Sequence, residues 1–323
     1  MTGLFDFRAR TMGAALVVLL AAGSGASATE LTVLSFNIRG GGANDGKGIE
    51  ETVAAIRAVN PDIVGIQESR AESVPCTAES CPPAGESVAA RIAAALGYQF
   101  VDQGAESPAL WANAILARVP IGPLTPNRTG ARLTIDGRSV DVFNIHLTDA
   151  PYQPYQALGI DYGPYPVLKT ADELVKAAEA TRGPGLALLF ADMDAAGPAD
   201  VAFVFGDFNE PSHHDWVDAT VQAGLQPLAV PYPSEKAIEA RGFVDTFRAV
   251  YPDPVAKPGL TWTPTTSPTD KDDHHDRIDF ALAKAKGLEV VSAGILGEKT
   301  PEADIVVTPW PSDHRATFAK VRF

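Results

Sequence analysis

The chain has 323 residues, of which 46% are hydrophobic and 20% are charged, a globular composition with enough length for one large domain or two small ones. The net charge is −14, and the sequence shows no Lys/Arg cluster suited to neutralising several phosphates. An extended nucleic acid is therefore disfavoured as a partner, although net charge does not exclude a small basic pocket.

Residues 1–28 have the features of a secretory signal peptide. Arg8 and Arg10 precede the apolar run MGAALVVLLAAG, and Ala26–Ala28 supplies the small residues of a cleavage site. The apolar run is shorter than the roughly 20 residues of a membrane-spanning helix, so we favour cleavage over a membrane anchor. Cleavage removes two basic residues and one acidic residue. The mature chain then has 24 Lys and Arg residues, 39 Asp and Glu residues and a net charge of −15. We therefore predict a secreted or periplasmic protein.

The two cysteines, Cys76 and Cys81, lie in the proline-rich segment SVPCTAESCPP. In an exported chain a local disulfide is the first interpretation. Two free thiols are the alternative, and a zinc site is disfavoured because no histidine or further cysteine lies nearby in sequence.

Short strand-like segments recur along the chain, separated by turn residues: LTVLSFNI, DIVGIQE, ANAILAR, SVDVFNIHL, VAFVFGDFN, RIDFALA and ATFAKVRF. Helical patterns fall between them in GIEETVAAIRAV, ESVAARIAAALG and TADELVKAAEATRG, the last predicted to end at Gly183. Without repeats or a long linker, the simplest partition is one domain over residues 29–323. Most strands are too apolar to have one exposed face, so the pattern predicts an α/β fold of packed sheets covered by helices.

Polar residues stand at or near the ends of these apolar strands. They are Asn37, Gln67, Glu68, Asn144, His146, Asp207, Asn209, Asp279, Asp313 and His314. Any one of them is explained by a turn or by a hydrogen-bonded core. Together they include several acids that are costly to bury unless they are paired or bind a metal, so the pattern predicts one common site.

The residue types limit the chemistry of such a site. Its acids and amides offer hard oxygen ligands with no thiolate and few imidazoles, which suits Mg²⁺, Mn²⁺ or Ca²⁺ rather than zinc. Two histidines with potential acidic partners add proton transfer or charge stabilisation. This combination can hydrolyse a phosphate ester.

The ordered series LSFNIRG, IQE, NIHL, GDFN, RIDF and SDH resembles the endonuclease/exonuclease/phosphatase superfamily, over residues 31–323. That family includes pancreatic deoxyribonuclease, apurinic endonucleases, neutral sphingomyelinases and inositol polyphosphate 5-phosphatases. The resemblance implies a four-layer αββα sandwich of two mostly antiparallel sheets, with the site at one end of the sheets.

The resemblance also implies roles for individual residues. Glu68 would be the principal metal ligand, with Asn37 and Asp313 in or near the metal shell. Asp207 would orient or deprotonate the attacking water, and Asn209 would hold water or phosphate beside it.

The family pattern assigns the two histidines to the phosphate. His314 would contact the phosphate with Asp279 fixing its ring, and His146 would stabilise the developing charge or serve the leaving oxygen. Relatives differ in whether the partner acid precedes the arginine of RIDF or follows it by two residues. We choose Asp279 over Asp276, and which histidine protonates the leaving group stays open.

Other polar residues near these motifs receive structural interpretations. For His274 and His275 in DDHHD, and for His213 and His214 in EPSHHDW, solvated loops at the pocket rim are favoured over a second metal site. Glu210 is expected to cap the following turn rather than to act in catalysis.

The segment TDAPYQPYQALGIDYGPYP after His146 holds four of the seven tyrosines and is predicted to be neither a simple helix nor a strand. It forms either a substrate-facing lip or a surface loop that packs its rings on the sandwich.

The sequence thus predicts a monomeric, exported, metal-dependent phosphoesterase without a stable membrane anchor. A small phosphodiester or phosphomonoester, such as a lipid headgroup, inositol phosphate or sugar phosphate, best suits the acidity. A nuclease and a non-catalytic binding module on the same fold are the alternatives. The intact set of predicted catalytic residues argues against the binding module.

Overall fold

We describe a computed structural model of the chain over residues 1–3, 28–73, 83–104 and 106–323. The apolar run of the predicted signal peptide lies outside these residues. So do Cys76 and Cys81, and the predicted disulfide therefore stays a prediction.

Each large sheet is built from short strands. Within the described ranges the strands are β1 (Glu30–Asn37), β2 (Ile63–Gln67), β3 (Ala71–Glu72), β4 (Pro83–Ala84), β5 (Gln99–Asp102), β6 (Glu106–Ser107), β7 (Leu110–Trp111), β8 (Ala114–Ala117), β9 (Ile121–Leu124), β10 (Gly130–Ile135), β11 (Arg138–His146), β12 (Val201–Asp207), β13 (Val244–Asp245), β14 (Asp279–Ala285), β15 (Glu289–Gly297), β16 (Ile305–Val306) and β17 (Ala316–Arg322). The predicted strand segments are confirmed. The longer strands β5, β9, β10 and β15 were not predicted, and neither were the six two-residue strands.

The helices are α1 (Glu50–Val59), α2 (Ala89–Leu96), α3 (Gln153–Leu158), α4 (Ala171–Ala196), α5 (Asp218–Gln222), α6 (Pro233–Glu239) and α7 (Thr246–Val250), and tight 3₁₀-type turns cover Arg39–Asp45. Among the described residues, none of the helices combines the length and apolarity needed to cross a membrane.

The described strands form a seven-stranded sheet, in the order β16-β15-β17-β1-β2-β8-β5, and a six-stranded sheet, in the order β13-β14-β12-β11-β10-β9. The pairs β1/β2, β11/β12 and β15/β16 are parallel, and the other neighbours in both sheets are antiparallel. The predicted class of two mostly antiparallel sheets is therefore confirmed.

Three apolar clusters separate four layers. The cluster between the sheets takes side chains from both, including Val33, Val142 and Phe203. A second cluster joins the outer face of the seven-stranded sheet to α1 and α2, and a third joins the outer face of the six-stranded sheet to α4 and α6. The layers therefore run α, β, β, α, as in the predicted sandwich.

The alternation of side chains along each strand leads from this core to a polar end. In β12, Val201, Phe203 and Phe205 lie in the cluster between the sheets, and Asp207 continues the same face. The register pairs His146 with Asp207 and Asp207 with Asp279 across three neighbouring strands. The apolar length of these strands thus fixes the positions of three functional side chains.

Helix α4 corrects one sequence prediction. The helix runs from Ala171 to Ala196 and passes through Pro184, so its predicted end at Gly183 was wrong. The turns beyond the proline bury leucines against the six-stranded sheet. A Cβ atom on Gly185 would lie 2.2 Å from the carbonyl oxygen of Pro108, so the glycine permits close packing here. Tertiary packing thus overrides the local signal for a helix end.

Candidate active site

Asn37 joins the two sheets at the polar end of the sandwich. Its Nδ2 donates to Glu68 Oε1 at 2.8 Å and to Asp207 Oδ2 at 3.0 Å, and its Oδ1 accepts from the backbone of Arg39 at 3.1 Å. Asn37 lies in the seven-stranded sheet and Asp207 in the six-stranded sheet. This amide therefore holds two predicted site carboxylates together across the sandwich.

Glu68 and Asn209 follow the ends of β2 and β12 in left-handed backbone conformations. Their φ angles are 55° and 49°, which are uncommon for residues other than glycine. The carbonyl of Glu68 accepts from Gly40 at 2.7 Å, and the backbone N–H of Asn209 donates to Asp207 Oδ1 at 2.8 Å. Each such conformation costs about 1–3 kcal/mol and clusters at functional sites, where the surrounding structure holds it in place.

Both predicted imidazoles face Asp207. His314 Nδ1 lies 2.9 Å from Asp279 Oδ2, and its Nε2 lies 3.6 Å from Asp207 Oδ2. His146 Nε2 lies 3.5 Å from the same Asp207 oxygen and 2.9 Å from Asn209 Nδ2. The structure thus brings all five predicted catalytic residues together around one carboxylate.

The two histidines carry different charges. Burial opposes protonation of His314, but the carboxylates of Asp279 and Asp207 outweigh it and raise the pKa of His314 well above its usual range. Burial lowers the pKa of His146 to about 4. At neutral pH, His314 is therefore an imidazolium and His146 is neutral.

The site holds more acids than cationic groups, and burial disfavours the ionised forms of these acids. Burial raises the pKa of Glu68 to about 8, and repulsion from Asp313 adds to this effect. Burial also raises the pKa values of Asp207 and Asp279, against the attraction of His314. Four acids thus share one imidazolium, which is the charge balance that a bound cation would correct.

The donor set fits a hard divalent cation. Glu68, His146 and Asp207 offer ligand atoms that lie within 4.8 Å of one another, and carboxylate oxygens dominate the set. Asn37 presents its amide nitrogen to Glu68 and Asp207, so it positions these acids. Asp313 lies at the edge of the site, where its Oδ2 is 3.4 Å from Arg39 Nε. Of the three predicted ligands, Glu68 is therefore the one at the centre.

Asp276 is engaged elsewhere. Its carboxylate accepts from Tyr152 Oη and from Trp216 Nε1, both at 2.8 Å. The aspartate within 2.9 Å of His314 is Asp279, which is the residue chosen from the sequence.

The tyrosine-rich segment forms one wall of the site. It contains the short helix α3, and the segment as a whole is neither a single helix nor a strand, as predicted. The rings of Tyr152 and Tyr155 are buried, and each packs against Trp262 at centroid distances of 5.8 and 6.0 Å. A small cleft connects these rings and Tyr162 to Asn209. The segment therefore packs on the sandwich and also borders the site.

Sequence reasoning missed Trp262. Its backbone pairs with Asp276 and with His314, and its ring centroid lies 6.4 Å from that of His314. The signal available in sequence was the run TWTPTT, which has neither strand nor helix periodicity. Only the fold shows that this run crosses the active-site end of the molecule.

The remaining polar residues have partners of their own. His274 Nε2 lies 2.7 Å from the amide of Gln226, and His275 Nε2 lies 2.8 Å from Thr266 Oγ1. Glu210 accepts from the backbone of Ser234, at the start of α6, at 2.6 Å. Glu210 therefore bonds to a helix start rather than to the turn that follows it in sequence.

An αββα sandwich with carboxylate, amide and imidazole groups at one end is an architecture of the deoxyribonuclease I-like class. The sequence profile of the Endonuclease/Exonuclease/phosphatase family matches residues 34–314. The chain therefore belongs to this family, and membership supports hydrolysis of phosphoric esters in general.

The chain is also similar to a relative of similar length and to solved structures with the same fold. The chain is 27% identical over 313 residues, 91% of each protein, to the uncharacterized Caenorhabditis elegans protein F14F9.5. An AP endonuclease from Archaeoglobus fulgidus is 17% identical with a TM-score of 0.52, covering 90% of this chain and 98% of that one. A 3'-5' exonuclease from Neisseria meningitidis is 16% identical with the same TM-score and coverages. At these identities the two structures show the fold alone.

Proposed function

We propose that the protein is a divalent-metal-dependent phosphoesterase that hydrolyses a small phosphodiester or phosphomonoester. The observation that carries the proposal is the convergence of His146, His314 and Asn37 on the Asp207 carboxylate. A carboxylate that orients the water and an imidazolium that stabilises the phosphate charge are suited to in-line attack on phosphorus.

The metal would be held by Glu68, with Asp313 and Asn37 beside it. A bound Mg²⁺, Mn²⁺ or Ca²⁺ supplies positive charge to a phosphate oxygen and allows the buried acids to remain ionised. The excess of buried carboxylates over imidazolium supports this assignment.

The chain's own groups divide the remaining work. Asp207 orients the attacking water and accepts its proton, and the backbone of Asn209 holds the Asp207 carboxylate in place. His314, held as an imidazolium by Asp279, donates to a phosphate oxygen and stabilises the charge that develops in the transition state. The neutral His146 accepts from the Asn209 amide and so orients that amide.

Two observations support a small substrate. The net charge of −14 disfavours a long polyanion, and the cleft beside Asn209 is narrow and walled by Tyr152, Tyr162 and Trp262. Lipid headgroups, inositol phosphates and sugar phosphates all match these features. A nuclease is the second candidate, because the similar structures include an endonuclease and an exonuclease.

The test is hydrolysis of bis-p-nitrophenyl phosphate, p-nitrophenyl phosphate, phosphodiester lipids, inositol phosphates, and single- and double-stranded DNA, with each cation or with EDTA. We expect turnover of small esters that EDTA abolishes and that His314→Ala lacks. His274→Asn, in a histidine outside the site, is the matched control and should retain the activity. Preferred cleavage of DNA would favour the nuclease, and no turnover of any substrate would favour the binding module.

We further propose that the protein is exported and monomeric. The features of residues 1–28 support the export. The N-terminal sequence of the protein recovered outside the cytoplasm should begin near residue 29, and sedimentation should give the mass of one chain. An intact Met1 on the recovered protein would contradict the cleavage.

A further inference from the structure

A second cluster of metal-ligating side chains lies between the segment that follows the catalytic strand β12 and helix α6. His213 Nε2 lies 3.2 Å from Glu239 Oε2, and His214 Nε2 lies 3.1 Å from Glu239 Oε1. The ligand atoms of the three residues lie within 4.8 Å of one another. The side chains of two histidines and one glutamate thus converge on a small volume outside the candidate active site.

The buried residue Glu235 lies behind this cluster, next to His213. The residue is 1% exposed, and its Oε2 lies 3.4 Å from His213 Nδ1 and accepts a short hydrogen bond from Ser212 Oγ. The Glu235 carboxyl also interacts with the carboxyl of Asp245, within the protein interior. A carboxylate at the far nitrogen of a metal-ligating imidazole is the usual outer partner, because it fixes the tautomer that leaves Nε2 free for the metal.

We propose that His213, His214 and Glu239 bind a zinc ion, with water in the remaining position. Zn–N and Zn–O bonds of about 2.0–2.1 Å place tetrahedral ligand atoms about 3.3 Å apart, close to the two imidazole–carboxylate distances here. Imidazole nitrogens with one carboxylate favour zinc or a similar transition metal over Mg²⁺. The His214 side chain is 41% exposed, so the ion reaches the cluster from solvent.

The location gives the zinc a structural effect. His213 and His214 follow Asn209 by a few residues, whereas Glu235 and Glu239 belong to α6. Zinc would therefore tether the chain that leaves the active site to a helix packed on the six-stranded sheet. This site uses none of the proposed catalytic residues, so the proposal does not depend on the phosphoesterase activity.

The test is calorimetric titration of chelator-treated protein with Zn²⁺ in excess Mg²⁺, which is added to compete with Zn²⁺ for the oxygen-rich candidate active site. We expect one zinc per chain and a higher unfolding temperature with Zn²⁺. Removing a ligand, in His214→Asn or Glu239→Gln, should weaken binding at least about 100-fold, and Glu235→Gln should weaken it about 10-fold to 100-fold. X-ray absorption of the bound zinc should show two imidazoles.

His274→Asn is the matched control, because it changes a histidine of the other His-His pair and should leave zinc binding unchanged. If a ligand variant fails to fold by circular dichroism, protection of His213 and His214 from diethylpyrocarbonate by Zn²⁺ in the wild type tests the same contacts. Unprotected histidines, absence of zinc binding, or equal affinity in folded ligand variants would overturn the proposal and leave the cluster as an ion pair.

Discussion

Two clusters of buried charge lie on either side of Ile278 and have opposite chemistry. Asp279 belongs to the active site, where acids outnumber the single imidazolium. Arg277, two residues earlier, belongs to a cluster in which its Nε lies 2.8 Å from Asp215 and its Nη2 lies 2.8 Å from Asp245. Arg248 adds a second cation 2.6 Å from Asp215.

The two clusters shift the pKa values of their acids in opposite directions. In the arginine cluster burial opposes ionisation, but the attraction of Arg277 lowers the pKa of Asp245. In the active site burial raises the pKa values of Glu68 and Asp207. Buried charges that balance one another hold elements together, whereas an excess of one sign marks a place where a ligand completes the balance.

The largest expected effect comes from removing the central charge of the active site. Asp207→Asn should lower kcat/KM for a small phosphate ester about 10³-fold to 10⁴-fold, because the water loses its proton acceptor. The unfolding temperature should change little, since the removal of a buried charge offsets the loss of one partner of the His314 imidazolium. Steady-state kinetics and calorimetry measure the two effects. Activity within tenfold of the wild type would show that Asp207 is not the acceptor.

In the arginine cluster, removal of a charge should reduce stability rather than activity. Arg277→Met should reduce the free energy of unfolding by about 3–5 kcal/mol, because Asp215 and Asp245 lose a buried partner. Denaturant unfolding measures this loss. The control is Arg322→Met in an exposed ion pair with Glu30, which should leave the free energy of unfolding nearly unchanged. Equal losses in both variants would contradict the distinction between the clusters.

At Asp192, neutral hydrogen-bond donors rather than cations stabilise a buried carboxylate. Although burial opposes ionisation, hydrogen bonds from Thr125, Asn127 and Thr129 lower its pKa. A lowered folded-state pKa contributes stability above the unfolded value of about 3.9 and loses it as the pH falls below that value.

Asp192→Asn should therefore cost about 1–3 kcal/mol at neutral pH, because donors then face an amide. The difference in free energy of unfolding between the variant and the wild type should become smaller as the pH falls below about 4. Urea unfolding at several pH values measures it. A difference that does not change with pH would mean that folding leaves the pKa of Asp192 unchanged.

The smallest effect is expected at the aromatic wall. Trp262→Leu should raise KM about 3-fold to 10-fold for a substrate that fills the cleft, since one aromatic contact contributes about 0.5–1.5 kcal/mol. The value of kcat should change less, because His314 keeps its bond to Asp279. A large loss of kcat with unchanged KM would instead assign Trp262 to positioning of His314.

Much of the site was visible in the sequence because it depends on local patterns. The alternation in VAFVFGD places Asp207 on the same face as Phe203 and Phe205, and a period of two needs no tertiary information. Similar reasoning holds for Asn37 and His146 at the ends of their strands. Local patterns did not reveal Trp262, because its segment has neither the periodicity of a strand nor that of a helix.

The sequence by itself determined the strand cores, the ordered motifs and hence the family, because each depends on residues adjacent in the chain. Tertiary structure agrees with the choice of Asp279 over Asp276 as the partner of His314. It alone decided that α4 continues through Pro184 and that His213 meets Glu239. Such pairings depend on how separate elements pack. Asn37 and Asp207 are 170 residues apart, and only the packing of two sheets brings them within a hydrogen bond.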